Sequence, residues 1–177
     1  MNGNAVKYRI VFLYHGSSIV VEKPHLLEQT RGLDFGAGFY LTSSASQAER
    51  FSEIVTKRQK SGSAIVNTYE FGIEAAGKEI TIRRFNKPDA EWLRFVTENR
   101  LKAYRGDTYD IVIGAVANDT LMPVLQAFWG GFMNEEAALV ALKTSKLVDQ
   151  YCFKSDKALS FLRFVNSYGI KGDHVRR

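Results

Sequence analysis

The sequence predicts an α+β fold, and three observations carry that expectation. Short apolar runs with strand character stand apart along the chain, and segments with a helical repeat lie between them. The two kinds alternate irregularly, unlike a regular βαβ series. With 177 residues and 45% hydrophobic content the chain is long enough for one real core. We therefore expect a single domain over 1–177, with its core at about 8–166 and a basic tail at 171–177.

The elements follow in order. Arg9-Ile10-Val11-Phe12-Leu13-Tyr14 reads as a buried strand that ends at His15-Gly16-Ser17. Asp34-Phe35-Gly36-Ala37-Gly38 leads into a short strand at Phe39-Tyr40-Leu41-Thr42. Ser44 and Gln47 form a capping box, and behind them Ala48, Phe51 and Val55 share a helical face. That helix should end in the basic, glycine-containing stretch 57–62. Residues 64–71 read as a strand and 79–83 as a shorter, alternating one. Pro88 suits the first turn of a helix on which Trp92, Phe95, Val96 and Asn99 share a face. Residues 110–116 form a buried strand. Asn118 or Asp119 then caps a helix that turns Leu121, Val124, Leu125 and Phe128 inward, and Gly130-Gly131 breaks it. Asn134 caps a short helix through Lys143, residues 150–153 form a late strand, and Ser155 caps a last helix through Val165.

Composition narrows the function classes. The net charge is +5, which permits a phosphate-rich partner without requiring one, and a solvated basic surface is the plainer reading. The single cysteine, Cys152, allows no internal disulfide and sits in an apolar strand, so we expect a core thiol and a reducing, cytoplasmic compartment. The segment from Met1 to Lys7 is polar and lacks a signal core, and no apolar run is long enough for a membrane span. The histidines are His15, His25 and His174, at no spacing that makes a ligand set, so no metal is expected. Neither a phosphate-binding loop nor a hydrolase elbow is present, and Gly36-Ala37-Gly38 lacks the third glycine and crossover helix of a dinucleotide fingerprint.

Two blocks carry the chemistry. His15-Gly16-Ser17 puts an imidazole, an open backbone and a hydroxyl at one strand end. The second block puts two glycines just before an aromatic ring at Tyr40. Together these groups suit a ribose, a carboxamide and a flat heteroaromatic ring, the nicotinamide end of NAD.

The two blocks resemble the nucleotide-binding core of ADP-ribosyltransferases of the diphtheria-toxin and poly(ADP-ribose)-polymerase type. They are closer still to a bacterial family of unknown function with ADP-ribosyltransferase-like motifs. Its later motifs resemble 109–119, from Tyr109-Asp110 to Asn118-Asp119, and Asp149-Gln150 before a strand. The likeness runs from about His15 to Phe164, and it implies a split β-sheet core surrounded by helices.

What the resemblance implies can be stated residue by residue. His15 would bond a ribose hydroxyl, Gly16 would offer its backbone to the carboxamide, and Ser17 would add a ribose contact. Phe35, Gly36 and Gly38 would line the cofactor, and the Tyr40 ring would stack on the pyridinium, worth about 1–2 kcal/mol when desolvated. Gln150 occupies the place of the classical catalytic glutamate. Its amide can accept the same hydrogen bond but carries no charge to stabilise a developing cation. Asp119 is the substitute carboxylate, while Asp149 points to the opposite face of a regular strand. Arg9, Arg31 and Arg83 are each candidates for a diphosphate. The plainer readings are structural: a core histidine at 15, a core aromatic at 40, and a helix cap at Asn118 or Asp119.

The resemblance implies a mono-ADP-ribosyltransferase that uses NAD as substrate, releases nicotinamide and modifies a macromolecule, a protein rather than a nucleic acid. Rival readings are an NAD glycohydrolase and a non-catalytic module that binds NAD or ADP-ribose. The closer family further implies a toxin or effector held by a small antitoxin protein, or delivered into a target cell without a classical signal peptide.

Overall fold

In the computed structural model the structure describes residues 9–28, 32–117, 121–143 and 148–170. The fold is α+β: among the described residues, seven strands form two sheets with six helices. The chain divides into two compact units that interleave in sequence. One takes the described residues up to Pro24, Leu41–Glu79 and those from Ser160 on; the other takes His25–Tyr40 and Ile80–Leu159.

In the first unit the apolar run at the start becomes β1 (Ile10–Ser17). It is not buried on both faces as the sequence implied: Leu13 is fully buried, whereas Ile10 and Phe12 are exposed. The reason is its sheet, an antiparallel three-strander of order β1-β3-β7 with β1 at an edge. The short strand β2 (Phe39–Leu41) comes next in the chain and belongs to the sheet of the second unit; α1 (Ala45–Gln59) follows it in the first. Half of the expected capping box forms, since Ser44 Oγ accepts from the Gln47 N–H at 3.3 Å. The Ser44 N–H donates to Thr42 Oγ1 at 3.1 Å, which supplies that donor with a partner from the preceding strand.

The buried face of α1 is Ala48 and Ser52, and Phe51 is exposed, contrary to expectation. Small residues one turn apart let the helix backbone come down onto β1, which a phenylalanine at the contact would prevent. α1 ends at Lys60, in a left-handed conformation. The strand β3 (Ile65–Gly72) runs into a single helical turn, α2 (Ile73–Ala76), and the start of the strand expected at 79–83 is turn and bend instead.

In the second unit the surviving piece of that strand is β4 (Ile82–Arg84). α3 (Ala90–Arg100) starts after Pro88, which precedes the cap and is not in the first turn: Asp89 caps the helix by accepting from the Trp92 N–H at 3.1 Å, a contact typically worth about 1 kcal/mol. Its buried face is Trp92, Leu93, Phe95, Val96 and Asn99. β5 (Ile111–Ala115) is followed by α4 (Met122–Trp129), whose N-cap is Leu121, with no side-chain cap bond. Asn118 and Asp119 lie outside the described residues. α5 (Glu135–Lys143) is capped by Asn134, as the sequence predicts.

β6 (Asp149–Phe153) completes a four-stranded sheet of order β2-β6-β5-β4, with β5 antiparallel to β6 and parallel to β4. Phe35, Phe85, Trp92, Leu93, Val112, Leu125, Leu142 and Cys152 make this unit's buried cluster.

The last helix is corrected. Ser155 does cap, accepting from the Ala158 N–H at 3.1 Å, but α6 is one turn, Asp156–Leu159. The chain then returns as β7 (Leu162–Gly169), paired with β3. Among the described residues no helix is long and apolar enough to cross a membrane, and no cluster of three metal-ligating side chains exists.

Candidate functional site

His15, Gly16 and Ser17 belong to the first unit; Phe35, Gly36, Gly38, Tyr40 and Gln150 belong to the second. In the first unit the backbone of β1 decides what each residue offers. Tyr14 exchanges two main-chain hydrogen bonds with Thr42, at 2.8 and 3.0 Å, on the edge of β1 away from β3. Main-chain direction alternates along an antiparallel strand, so Gly16 turns its N–H and C=O to that same outer edge, while those of His15 point toward β3. Gly16 therefore presents one donor and one acceptor, side by side, at a strand edge.

The glycine itself is required by the opposite constraint. A Cβ there would lie 2.1 Å from the Ala48 carbonyl oxygen and 2.8 Å from the Ser52 nitrogen, both helix backbone. Glycine at 16 is thus a packing requirement of α1 and leaves the main-chain edge unaffected. Side chains alternate too, so half-buried His15 stands on the face of β1 away from α1.

The loop after β1 is tied down by Asn67, a fully buried polar residue in the middle of β3. Its Oδ1 accepts from the Val21 N–H at 2.8 Å and its Nδ2 donates to the Ile19 carbonyl at 3.2 Å. Ser17 Oγ accepts from the Ile19 N–H at 3.3 Å, so this hydroxyl serves the turn. Sequence reasoning missed Asn67, although an amide inside an apolar strand was a signal.

In the second unit the glycine loop is shaped by contacts with protein. Gly36 has φ +79°, and a Cβ on it would meet Asn99 Oδ1 at 2.7 Å. A Cβ on Gly38 would meet Cys152 Sγ at 2.5 Å and the Phe153 carbonyl oxygen at 2.7 Å. The space the missing side chains would fill is taken by protein atoms, so glycine at both positions is a packing requirement. Phe35 is corrected as well: its ring is fully buried, stacked on Phe85 with centroids 6.2 Å apart, so it lines the core and not a ligand.

Tyr40 packs partly buried against the same cluster. Its hydroxyl donates to the Gly36 carbonyl at 2.6 Å and accepts from the Phe35 N–H at 3.1 Å. Burial holds the phenol protonated well above its ordinary value, and the adjacent Cys152 thiol adds to this. Tyr40 thus pins the glycine turn that precedes its own strand. Cys152 is the core thiol the sequence predicts, with its pKa pushed up to about 11 by burial.

Gln150 lies opposite Gly114 in the β5–β6 pair, on the face that packs against Trp92 and Phe35. It is 7% exposed. Its Nε2 donates to Asp34 Oδ2 at 2.8 Å and to the Ala115 carbonyl at 3.2 Å. The sequence placed Gln150 at a reactive ribose; in the structure its N–H groups are committed to Asp34 and Ala115.

Asp34 is the residue the motif concealed. It is 5% exposed, and its other oxygen accepts from Arg100 Nε at 2.6 Å, while Oδ2 also takes the Ala117 N–H at 2.9 Å. A buried carboxylate with an arginine and two further donors is a satisfied group, and it joins the 34–40 loop, α3 and β6.

Of the arginines, Arg83 pairs with Glu91 and lies over the Phe85 ring at 4.9 Å, and the Arg9 main-chain N–H donates to Glu74 at 3.4 Å. Arg31 lies outside the described residues, as do Asp119 and the basic tail.

No curated protein and no solved structure matches the chain. A family model described as "Protein of unknown function (DUF3990)" matches residues 11–164. That span holds β1 with His15-Gly16-Ser17, the 34–40 loop and β6 with Gln150, and it leaves out only the ends. The chain therefore belongs to the DUF3990 family.

Proposed function

We propose that this protein is an NAD-dependent mono-ADP-ribosyltransferase whose two sheets are the split core of that fold. The observation that carries the reading is the edge of β1, where Gly16 turns one main-chain donor and one acceptor outward beside His15. A primary carboxamide needs that pair: its oxygen accepts from an N–H and its NH2 donates to a C=O. A planar amide bound this way has its attached ring oriented as well.

In this reading His15 bonds a hydroxyl of the nicotinamide ribose. The glycosidic C–N bond breaks with its electron pair leaving on nicotinamide, which becomes neutral. Positive charge moves onto the ribose, and an acceptor nucleophile on a macromolecule attacks the anomeric carbon and gives up its proton. Fixed dipoles near the ribose stabilise the charge that develops. Gln150 is the amide assigned to that ribose, and Asp119 is the spare carboxylate. The acceptor we favour is a protein, and a small antitoxin partner suits a toxin of this activity.

One observation favours a second reading. Gln150 is buried and carries no charge of its own, which suits a module that binds NAD or ADP-ribose without cleaving it. Incubation with NAD labelled in the adenylate half separates the alternatives. Label on a macromolecule supports the transferase, free ADP-ribose supports a glycohydrolase, and bound but unchanged NAD supports the module. His15→Ala should lower NAD affinity with the thermal midpoint preserved; the reverse pattern makes His15 a core residue and removes the reading.

A further inference from the structure

Asp34 and Gln150 are 116 positions apart in sequence and 2.8 Å apart in space. The contact is buried on both sides and sits within one compact unit. We infer that Asp34 is the positioning residue for Gln150: it fixes which end of the amide is presented, and its charge is the reason position 150 carries an amide. The inference rests on the function proposed above only for its catalytic consequence.

The Gln150 side chain meets two acceptors, the Asp34 carboxylate and the Ala115 carbonyl, so its NH2 end must face them. A flipped amide would set its oxygen against both. Oε1 is therefore directed away from Asp34, as an acceptor polarised by the carboxylate on the other end of the same amide. An acceptor of that kind is what a ribose hydroxyl needs beside a developing cation.

Arg100 neutralises one carboxylate, with its Nε 2.6 Å from Asp34 Oδ1. A second carboxylate at position 150 would stand at hydrogen-bond distance from the first, with one arginine for the two carboxylates and both positions buried. Two carboxylates so placed cannot both ionise cheaply. Gln150→Glu therefore gains no simple catalytic charge here; it introduces a buried repulsion that is relieved by protonating one of the two carboxyls or by removing the Asp34 charge.

A double-mutant cycle tests this on the full chain. Gln150→Glu is expected to lower the thermal midpoint by roughly 10 °C, the scale of an uncompensated buried charge in a chain of this size. Adding Asp34→Asn should recover more than half of that loss, because one carboxylate then faces one amide again. In NAD cleavage, Asp34→Asn alone should lower kcat by roughly tenfold with KM little changed, the scale of one charge-directed hydrogen bond. It should cost nothing further in a Gln150→Ala background, since Asp34 acts through that amide.

A Gln150→Glu protein as stable as wild type, or losses that simply add in the double variant, would overturn the inference. Should Asp34→Asn fail to fold, the side-chain amide protons of Gln150 in the wild-type protein are the readout: slow solvent exchange is expected, and fast exchange overturns the contact. A wild-type protein that leaves NAD intact removes the transferase reading and its kinetic arm, while the stability cycle still decides whether Asp34 sets the residue at 150.

Discussion

Gly16 lies so close to α1 that a methyl group on it would sit 2.1 Å from the carbonyl oxygen of Ala48. The neighbouring atom is helix backbone, not a side chain that could swing aside. Two demands thus meet at one residue: its Cα supports the helix, and its main-chain groups face the outer edge of β1. Gly16→Ala should therefore cost about 1–3 kcal/mol of stability from overpacking, and more if α1 cannot shift. Urea unfolding of the purified variant measures this. A variant as stable as wild type would mean that α1 does not rest on β1 at this point.

Tyr40 invites a revised expectation. A Tyr40 that served only as a stacking ring would tolerate Tyr40→Phe, because the ring survives. In the structure the hydroxyl bonds the Gly36 carbonyl and the Phe35 N–H, and both lose a partner when it is removed. Tyr40→Phe should then destabilise the protein by about 1–3 kcal/mol, with Tyr40→Ala worse because the packing is also lost. Chemical unfolding of both variants checks the order. An unchanged Tyr40→Phe would show that the turn does not depend on this hydroxyl.

Cys152 gives a pH prediction with a definite sign. Burial raises its folded pKa from 9.0 to about 11, so the folded state favours the protonated thiol. The stability this contributes is full below about pH 9 and is lost as pH rises toward about 11, up to ~3 kcal/mol in all. Unfolding free energies across that window should fall more steeply for wild type than for Cys152→Ala. Equal slopes would contradict the burial of the thiol.

The strands that were legible in sequence are those whose period survives intact. β5 is an uninterrupted apolar run and β3 and β6 are rich in apolar and β-branched residues, whereas β1 was found but judged too buried because nothing local reveals that it lies at an edge. β7 was read as helix for a definite reason. Its pairing with β3 slips between Thr68 and Tyr69, so Phe164 and Asn166 face consecutive residues of β3 and the alternation is broken at Val165. The helix caps at Ser44, Asn134 and Ser155 were legible because capping is a local event.

The site was legible only in part. His15-Gly16-Ser17 does end a strand, and two glycines do precede Tyr40. The bonds from Gln150 and Arg100 to Asp34, and the filling of the glycine spaces by Asn99 and Cys152, join residues far apart in the chain. No spacing rule reaches such pairs.

The central claim is that the outer edge of β1 receives the carboxamide of NAD, and an experimental structure of the protein grown with NAD tests it most directly. The account predicts the carboxamide oxygen about 3 Å from the Gly16 nitrogen and its NH2 at a similar distance from the Gly16 carbonyl oxygen, with a ribose hydroxyl on His15. NAD bound elsewhere with that edge empty, or a protein that takes up no NAD at saturating concentration, would contradict it.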